Sequence, residues 1–425
     1  HSFPTRRSSD LFLAGATALA GVLVYGRRAR AQTPQDRHAY AVIGRGPMAS
    51  AAARHLATAG EDVVLVGPPE PVDGGMVDGA FASHYDEMRQ IELAIDSLLL
   101  GQLAKASLPA FRRLEEQTGI RFIEPNPGLR TGFPAYAEQA WGSVRDVAAK
   151  LSVDVEDLGA TELARRFPGL RFPDDAVGLL EPGGAIINPR RLVRAQLEAA
   201  QQAGATIVDD VAKRLVQRPG EVVIETKGGR SLRAEQALVA TGAFVNQTGL
   251  LERPLALSLV GQTIVQVEVG AGPHPPMPIV TAVLPGEAGP EILYAMPPRR
   301  FPDGKTYVKG NSFRWSTRRI ETDGDDEGAA TPGVVNDPSI MVGLLEQMVP
   351  GIEASAVSNR SCMTAYTPSG APYIDRVAER VGVAVGGNAW GIMTSEEIGR
   401  LAAAMMRGKG WSGALAPEIF AARFA

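Results

Sequence analysis

Cysteine is nearly missing from this chain. Cys362 is the one thiol in 425 residues, which rules out an internal disulfide. Histidine is scarce too, and five of them without clustered spacing exclude the usual patterns of a structural zinc site. Neither sign of charge dominates. There are 43 Lys+Arg against 47 Asp+Glu, a net charge of −4, and no basic block follows the N-terminus. That balance argues against a nucleic-acid surface. No internal repeat is present. What remains is an ordinary globular profile, 45% hydrophobic and 21% charged, long enough for two domains.

Residues 1–31 read as a targeting segment. Leu11 to Tyr25 is an apolar run of signal-peptide length, short of the about 20 residues of a membrane span. Arg6 and Arg7 precede it, and Ala29-Arg30-Ala31 is a small-x-small cleavage site before Gln32. The expectation is export, periplasmic or extracellular, by the Sec or twin-arginine route, with no stable membrane span in the mature chain. HSFPTRRSSDL also resembles translated sequencing-adapter sequence, and if that N-terminus is foreign to the protein the expectation becomes cytoplasmic.

The strongest local signal runs from Tyr40 to Glu70. Ala41 to Ile43 is a short apolar strand. Gly44, Gly46 and Ala49 then match G-x-G-x-x-G/A. A helix from Pro47 to Ala59 follows, with Pro47 tolerated in its first turn, and Val63 to Val66 is the next buried strand. The first glycine makes the tight turn, the second admits a pyrophosphate to the backbone, and the small third residue lets helix and strand pack closely. The helix N-terminus offers free N–H groups to phosphate. This βαβ context marks a dinucleotide site.

Beyond it, Glu92 to Thr118 reads as helix, Gly119 to Phe122 as strand, Pro125 to Ala140 as turns, and Ser143 to Phe167 as largely helix. Asn188-Pro189 opens a helix through Ala203, and Ala205–Val208, Val222–Glu225 and Gln236–Ala240 read as strands. Small residues Ala240, Thr241 and Gly242 after the last of these let a cofactor lie against the backbone. From about Leu257 to Ile320 the pattern alternates as antiparallel strands do. Glu321 to Asn336 is a polar loop, Ser339 to Met348 a helix, VGVAVGG a strand, and Glu396 to Gly408 a closing helix. The expected class is α/β: a discontinuous Rossmann-like FAD-binding domain (38–105, 176–255 and 355–425) with an α+β substrate domain on an antiparallel sheet (106–175 and 256–354).

From residue 38 onward the chain resembles the D-amino-acid-oxidase superfamily of flavoproteins, and within it the sarcosine oxidase and N-methyltryptophan oxidase group. Six motifs in family order carry the resemblance: GRGPMA, SHYDEMR, EPGGAIINPRRL, ATGAF, CMTAYTPSGAPYID and GGNAWGIMTS. It implies FAD, with the diphosphate on Gly44, Gly46 and the helix behind them. The acid that normally ends the second strand and binds the ribose is Gly67 here, and Glu70 is its expected substitute. Val211 falls where the family lines the adenine, Thr241 and Gly242 beneath the flavin side, and Gly387, Gly391 and Ile392 in the last cofactor-binding block.

In covalent members of the group a Cys-Met pair at the start of such a strand bonds the flavin 8α-methyl. Cys362 matches it, a thiolate being a competent nucleophile. The resemblance also implies hydride transfer from the carbon beside nitrogen to flavin, then reoxidation by oxygen to hydrogen peroxide. A lysine on a substrate-domain strand favours oxygen reduction by placing positive charge near the ring. Lys309 is the candidate and Lys305 the rival, the family match here holding only to within a residue or more; on a strand a one-residue slip reverses the face. Arg89 resembles the arginine beside the ring, and Tyr294 a tyrosine that gates the substrate. His84 and Tyr85 are further pocket candidates.

Two departures concern the substrate. Relatives hold its carboxylate with an arginine three residues after the Arg89 equivalent and a lysine in the last glycine-rich loop. Here these positions are Glu92 and Met393. The expected substrate is therefore a small amine lacking a free carboxylate at the family position, with Trp390 stacking on it. The alternative has Glu92 facing solvent and Arg89 or Arg314 binding an acid. Three other classes stay open: a flavin dehydrogenase passing electrons to a quinone or carrier protein, a nicotinamide dehydrogenase, and a non-catalytic flavin-binding protein. The oligomeric expectation is a monomer or small homo-oligomer.

Overall fold

Parallel strands buried on both faces need unbroken apolar sequence, and the first described strand has it: Tyr40 through Ile43 are all buried. The computed structural model describes residues 37–71, 82–270, 272–284, 290–312, 317–320, 338–350, 352, 356–412 and 414–425. The targeting segment, the polar loop Glu321 to Asn336 and Arg314 lie outside the described residues.

The chain opens with β1 (Arg37–Ile43), α1 (Pro47–Thr58) and β2 (Val63–Val66), then β3 (Arg89–Ile91) and the long helix α2 (Leu98–Thr118). Next come β4 (Ile123–Pro125), β5 (Gly128–Gly132), α3 (Pro134–Ala140), α4 (Gly142–Leu151), β6 (Glu156–Leu158) and α5 (Ala160–Arg166). They are followed by β7 (Val177–Glu181), β8 (Ala185–Ile187), α6 (Pro189–Gln202), β9 (Thr206–Val208), β10 (Ala212–Arg218), β11 (Glu221–Thr226) and β12 (Ser231–Val239). The last part holds β13 (Ser258–Val269), β14 (Ile279–Leu284), β15 (Glu291–Arg300), β16 (Thr306–Ser312), β17 (Thr317–Ile320) and α7 (Pro338–Met348). β18 (Ala356–Tyr366), β19 (Tyr373–Ala378), β20 (Val381–Val385) and α8 (Gly391–Arg407) complete it.

Two large sheets organise these elements. The first runs β10-β11-β12-β1-β2-β9, with β20 joined to β12 and β19 to β20. Its centre is parallel: β12, β1, β2 and β9 all point the same way. Their carboxyl ends at Ala240, Gly44, Gly67 and Asp209 form the crevice where open α/β sheets take ligands. The second sheet runs β17-β13-β16-β15-β14-β5-β7-β6, with β18 on β13. It is antiparallel except at β5–β14. A small β3-β8-β4 sheet stands with them.

Alternation along the second sheet sets its two faces. Val308, Leu293, Ala295 and Val280 join Leu344, Leu345 and Met348 of α7 in one core cluster. The intervening residues Lys309, Tyr294 and Thr281 turn the other way and line a cavity.

In the first sheet's helical layer, α1 is made of small residues for a reason. Ala49, Ala51, Ala52 and Ala53 are fully buried, and Gly399 of α8 packs so tightly that a Cβ there would overlap the Ala51 side chain. A polar cluster ties the same helices. Gln196 Nε2 of α6 donates to Glu396 Oε2 of α8 at 2.5 Å, and Glu396 also pairs with Arg54 and, at 2.8 Å, with His55 of α1. The N-terminus of α1 is thereby fixed over the crevice.

The structure redraws several elements. Glu92 to Ser97 is not helical. α2 starts only at Leu98, where the Ser97 side chain accepts from the Leu100 N–H. The strand placed at Gly119–Phe122 forms later, as β4. The turn-rich segment contains β5 and α3, and Ser143–Phe167 is broken by β6. α8 begins at Gly391, five residues before Glu396. A boundary between 105 and 106 would cut α2. β7 and β18, assigned by sequence to the FAD-binding segments, belong to the second sheet. Residues Asp36–Ala425 form one compact unit.

Because α1 and α8 meet at Gly399 without room for a methyl, Gly399→Val is expected to cost about 1–3 kcal/mol in chemical unfolding. It should also weaken FAD retention, since α1 must shift. Unchanged stability would show that the contact is compliant.

Candidate active site

The crevice opens into a cavity of about 1140 Å³ that reaches from the ends of β1 and β2 to the inner face of the second sheet. Its nucleotide end is built by backbone geometry. Gly44 has φ +121°, and a Cβ there would run into the Ala240 carbonyl. Gly46 caps α1 in extended conformation and faces open space, so a ligand can approach its backbone. Pro47 at the first helical position has no N–H to lose. Val211, Thr241 and Gly242 line this end as well. Ala49 does not reach the cavity; it is fully buried in the helix–sheet core.

The expected ribose acid is absent for a steric reason. A Cβ on Gly67 would lie 2.7 Å from Arg45 Cβ. Glu70, its expected substitute, is turned away. Its carboxylate pairs with Arg190 at 2.6 Å and does not line the cavity. Arg45 lines the site instead, tied to Asp209 beside the end of β9.

At the other end, buried charges converge. Lys309 is 1% exposed. Its ammonium donates to Asp86 Oδ2 at 2.6 Å and to the Met88 carbonyl at 2.5 Å. Burial, then the Arg89 guanidinium, push the Lys309 pKa well below its ordinary value. Asp86 opposes that by offering a countercharge. Arg89 pairs with the same Asp86 oxygen, donates to the Ser83 carbonyl at 2.9 Å, and approaches Cys362 Sγ at 3.8 Å. Removing one member of such a buried set costs about 3–5 kcal/mol. The rival Lys305 lies outside, half exposed and paired with Glu268 at 2.6 Å.

Cys362 stands on β18 opposite Gln262 of β13, both on the lining. The glycine-rich turn before α8 closes the site with Gly387, Trp390, Gly391, Ile392 and Met393. Asn388 and Ala389 hold left-handed backbone there, at φ +48° and +68°. Asn388 stabilises that turn, accepting from Thr367 N–H at 2.8 Å and donating to the Gly386 carbonyl at 2.7 Å. His84 and Tyr85 both line the cavity. Burial, with Arg190, Arg45 and Arg89 nearby, pushes the His84 pKa down to about 3, so its ring is neutral at neutral pH. Burial raises the Tyr294 hydroxyl.

Glu92 is not placed where a ligand would meet it directly. It is 2% exposed, lies behind the lining, and accepts from Arg130 Nη2 at 2.9 Å. It is neither on the cavity lining nor facing solvent. Arg130 takes the position on the cavity wall. Glu181 sits beside this pair and accepts from the Leu93 and Ala94 N–H groups, each at 2.9 Å. Burial and the neighbouring Glu92 push its pKa up to about 7.

The family model for "FAD dependent oxidoreductase" (DAO) matches residues 39–405. The chain belongs to this family. It is 24% identical to human peroxisomal sarcosine oxidase over 355 residues, covering 81% of this chain and 85% of that protein. It is 28% identical to N-methyl-L-tryptophan oxidase of Salmonella arizonae over 213 residues, 48% of this chain and 53% of the relative. The solved structure of NikD, an unusual amino acid oxidase essential for nikkomycin biosynthesis, matches in fold with TM-score 0.75 and 24% identity, covering 92% of this chain and 98% of that one. The DAO chain described here is thus an FAD-dependent oxidoreductase of the amine and amino-acid oxidase kind.

FAD fits the residues present. Beside Val211 the described lining carries Lys213 and Lys227, with Arg45 near Gly44 and Gly46, which suits a diphosphate. Thr241 Oγ1 is buried with no hydrogen-bond partner among the described residues, beside the two glycines that admit a ligand. No helix among the described residues is long and apolar enough to cross a membrane.

Sequence reading missed Asp86, Arg130, Thr281 and Asn311. Asp86 lay inside SHYDEMR, three residues before Arg89, where its charge was a usable signal. The others carried none, because only strand register brings them to the cavity.

Glu181 gives a pH signature. Its carboxyl titrates near 4.5 when unfolded and about 7 when folded. The folded state therefore holds the extra proton, and stability from this group, full below pH 4.5, is lost as pH rises to 7. Glu181→Gln should flatten that slope in urea titrations across the interval. An unchanged slope would place the titration elsewhere.

Proposed function

We propose that the protein oxidises a C–N bond in an amino-acid-like substrate and hands the electrons to oxygen, with Lys309 as the residue that favours the second half-reaction. The observation that supports this is the Lys309 ammonium, buried on the cavity wall yet held by Asp86 and the Met88 carbonyl. FAD, when bound, supplies a hydride acceptor for the carbon beside nitrogen and a two-electron donor for oxygen. The chain's residues do the rest. Gly44, Gly46 and the α1 N-terminus would hold the diphosphate, and Thr241 Oγ1 a polar group near it. Arg89 and Lys309 keep positive charge at the ring end, where oxygen reduction develops negative charge. The Gly387–Ile392 turn, with Trp390, lines the same cavity.

Cys362 is proposed as the point of covalent attachment. Its thiol lines the same end, with Arg89 at 3.8 Å. Cys362 would hold the flavin through its 8α-methyl carbon, its thiol giving up a proton to act as the nucleophile. Export of the protein is likewise a proposal, resting on Leu11 to Ala31. A tethered cofactor suits a protein that leaves the cell.

Two measurements check this reading. Lys309→Met should slow flavin reoxidation by oxygen at least a hundredfold in stopped flow, while anaerobic reduction by substrate changes far less. Equal slowing of both steps would remove Lys309 from the oxygen half-reaction. Acid precipitation should leave the yellow colour with the polypeptide, and Cys362→Ser should release it to the supernatant. Colour that leaves the wild-type chain in acid would rule out the covalent bond.

A further inference from the structure

The second sheet carries a row of four side chains across four neighbouring strands. Arg130 of β5 is in register with Thr281 of β14. Thr281 is in register with Tyr294 of β15, and Tyr294 with Asn311 of β16. All four line the cavity. The row ends on one charged and one polar group, each with hydrogen-bonding capacity to spare. Arg130 uses Nη2 for Glu92 and the Ala94 carbonyl behind the wall. Its Nε and Nη1 have no hydrogen-bond partner among the described residues, so Arg130 keeps N–H groups that can donate a charge-assisted hydrogen bond to a carboxylate. At the far end Asn311 is 3% exposed, and its Oδ1 has no partner among the described residues. An amine N–H supplies the donor that this oxygen lacks.

The spacing of the two ends sets the length of what lies between them. Three strand steps of about 4.8 Å put roughly 14 Å between the Arg130 and Asn311 backbones. The anchors of the charged side chains agree. Lys309 ends at the Met88 carbonyl and Arg130 at the Ala94 carbonyl, with the extended strand β3 between them. Even with the reach of an arginine, the carboxylate lies several bonds from an amine at Asn311. An α-amino acid separates the two groups by one carbon. Beside Arg130 the lining continues with Tyr136, Trp141 and Val144 of the α3–α4 region, which extends the cavity for an apolar chain.

We infer that Arg130 is the specificity-determining residue of this oxidoreductase, and that the Arg130–Thr281–Tyr294–Asn311 row selects an amine whose carboxylate is separated from the oxidised C–N bond by an apolar spacer of several atoms. This rests on the reading that the site oxidises C–N bonds. The positive charge missing at Glu92 and Met393 is supplied from β5, three strands from Asn311. Arg130 touches the substrate's anionic end and takes no part in the redox step.

The test uses the FAD-loaded protein and three probes: 5-(methylamino)pentanoate, sarcosine, and N-methylpentylamine, which has the chain but no carboxylate. The first should show the highest kcat/KM. Arg130→Met should lower the ratio of kcat/KM for 5-(methylamino)pentanoate over N-methylpentylamine by roughly ten- to hundredfold, the range of a charged hydrogen-bonded contact. The double variant Glu92→Gln/Arg130→Met, which also removes the carboxylate that Arg130 pairs with, should give the same ratio. Arg130→Lys should keep part of the preference. Sarcosine turning over faster than the long substrate, or a ratio that Arg130→Met leaves unchanged, would overturn the inference. Calorimetric titration with pentanoate, an unreactive carboxylate, separates the two levels of the argument. If no amine bleaches the flavin, the C–N oxidation reading fails. Pentanoate binding that disappears in both Met variants would still establish the Arg130 site, and pentanoate binding that persists in them would refute it.

Discussion

One buried carboxylate organises the reacting end of this molecule. Asp86 accepts from Lys309 on the substrate sheet and from Arg89 at the start of β3, and so joins the two sides of the cavity through opposite charge. A lysine ammonium at 1% exposure is costly without such a partner. The Met88 carbonyl, 2.5 Å from the same ammonium, completes the set. Cys362, within reach of Arg89, is held against this cluster by the long β13–β18 ladder. The positions of the lysine, the arginine and the thiol therefore depend on the same few contacts.

At the nucleotide end the constraint is space rather than charge. Gly44 and the alanines of α1 are small so that β1, α1, the end of β12 and α8 can close up, and Gly46 leaves open space at the α1 N-terminus. Gly67 belongs to this set. The packing of Arg45 over the end of β2 excludes a side chain there, and positive charge from Arg45, Lys213 and Lys227 surrounds the nucleotide end. These residues would hold an anionic cofactor with backbone and cations, and Gly67 offers no side chain to it.

How much of this the sequence disclosed depended on the range of the interactions. The Gly44–Ala49 turn was legible because its geometry is local: strand, turn and helix follow one another within thirty residues. Lys309 was legible only as one of two lysines, and the strand's extent decided: β16 begins at Thr306, so Lys305 precedes it and pairs with Glu268 in solvent while Lys309 lies within it on the cavity wall. Glu92 was misread because its partner, Arg130, is 38 residues away and meets it through sheet pairing that no periodicity encodes. Glu70 was misread for the same reason, since Arg190 lies on a helix 120 residues on. Asn311 and Thr281 look like ordinary strand residues until register aligns them. The break in helix at Glu92–Ser97 escaped because its apolar residues fit a helical period, while tertiary contacts with Glu181 capture the Leu93 and Ala94 N–H groups.

The claim on which all of this depends is that a flavin occupies the cavity between the crevice of the first sheet and the inner face of the second. The visible absorption spectrum of the purified, folded protein, recorded before and during titration with FAD, tests it most directly. The account predicts flavin bands at once, or their appearance with saturable one-to-one binding. A folded protein that stays colourless and leaves added FAD free in solution would contradict it.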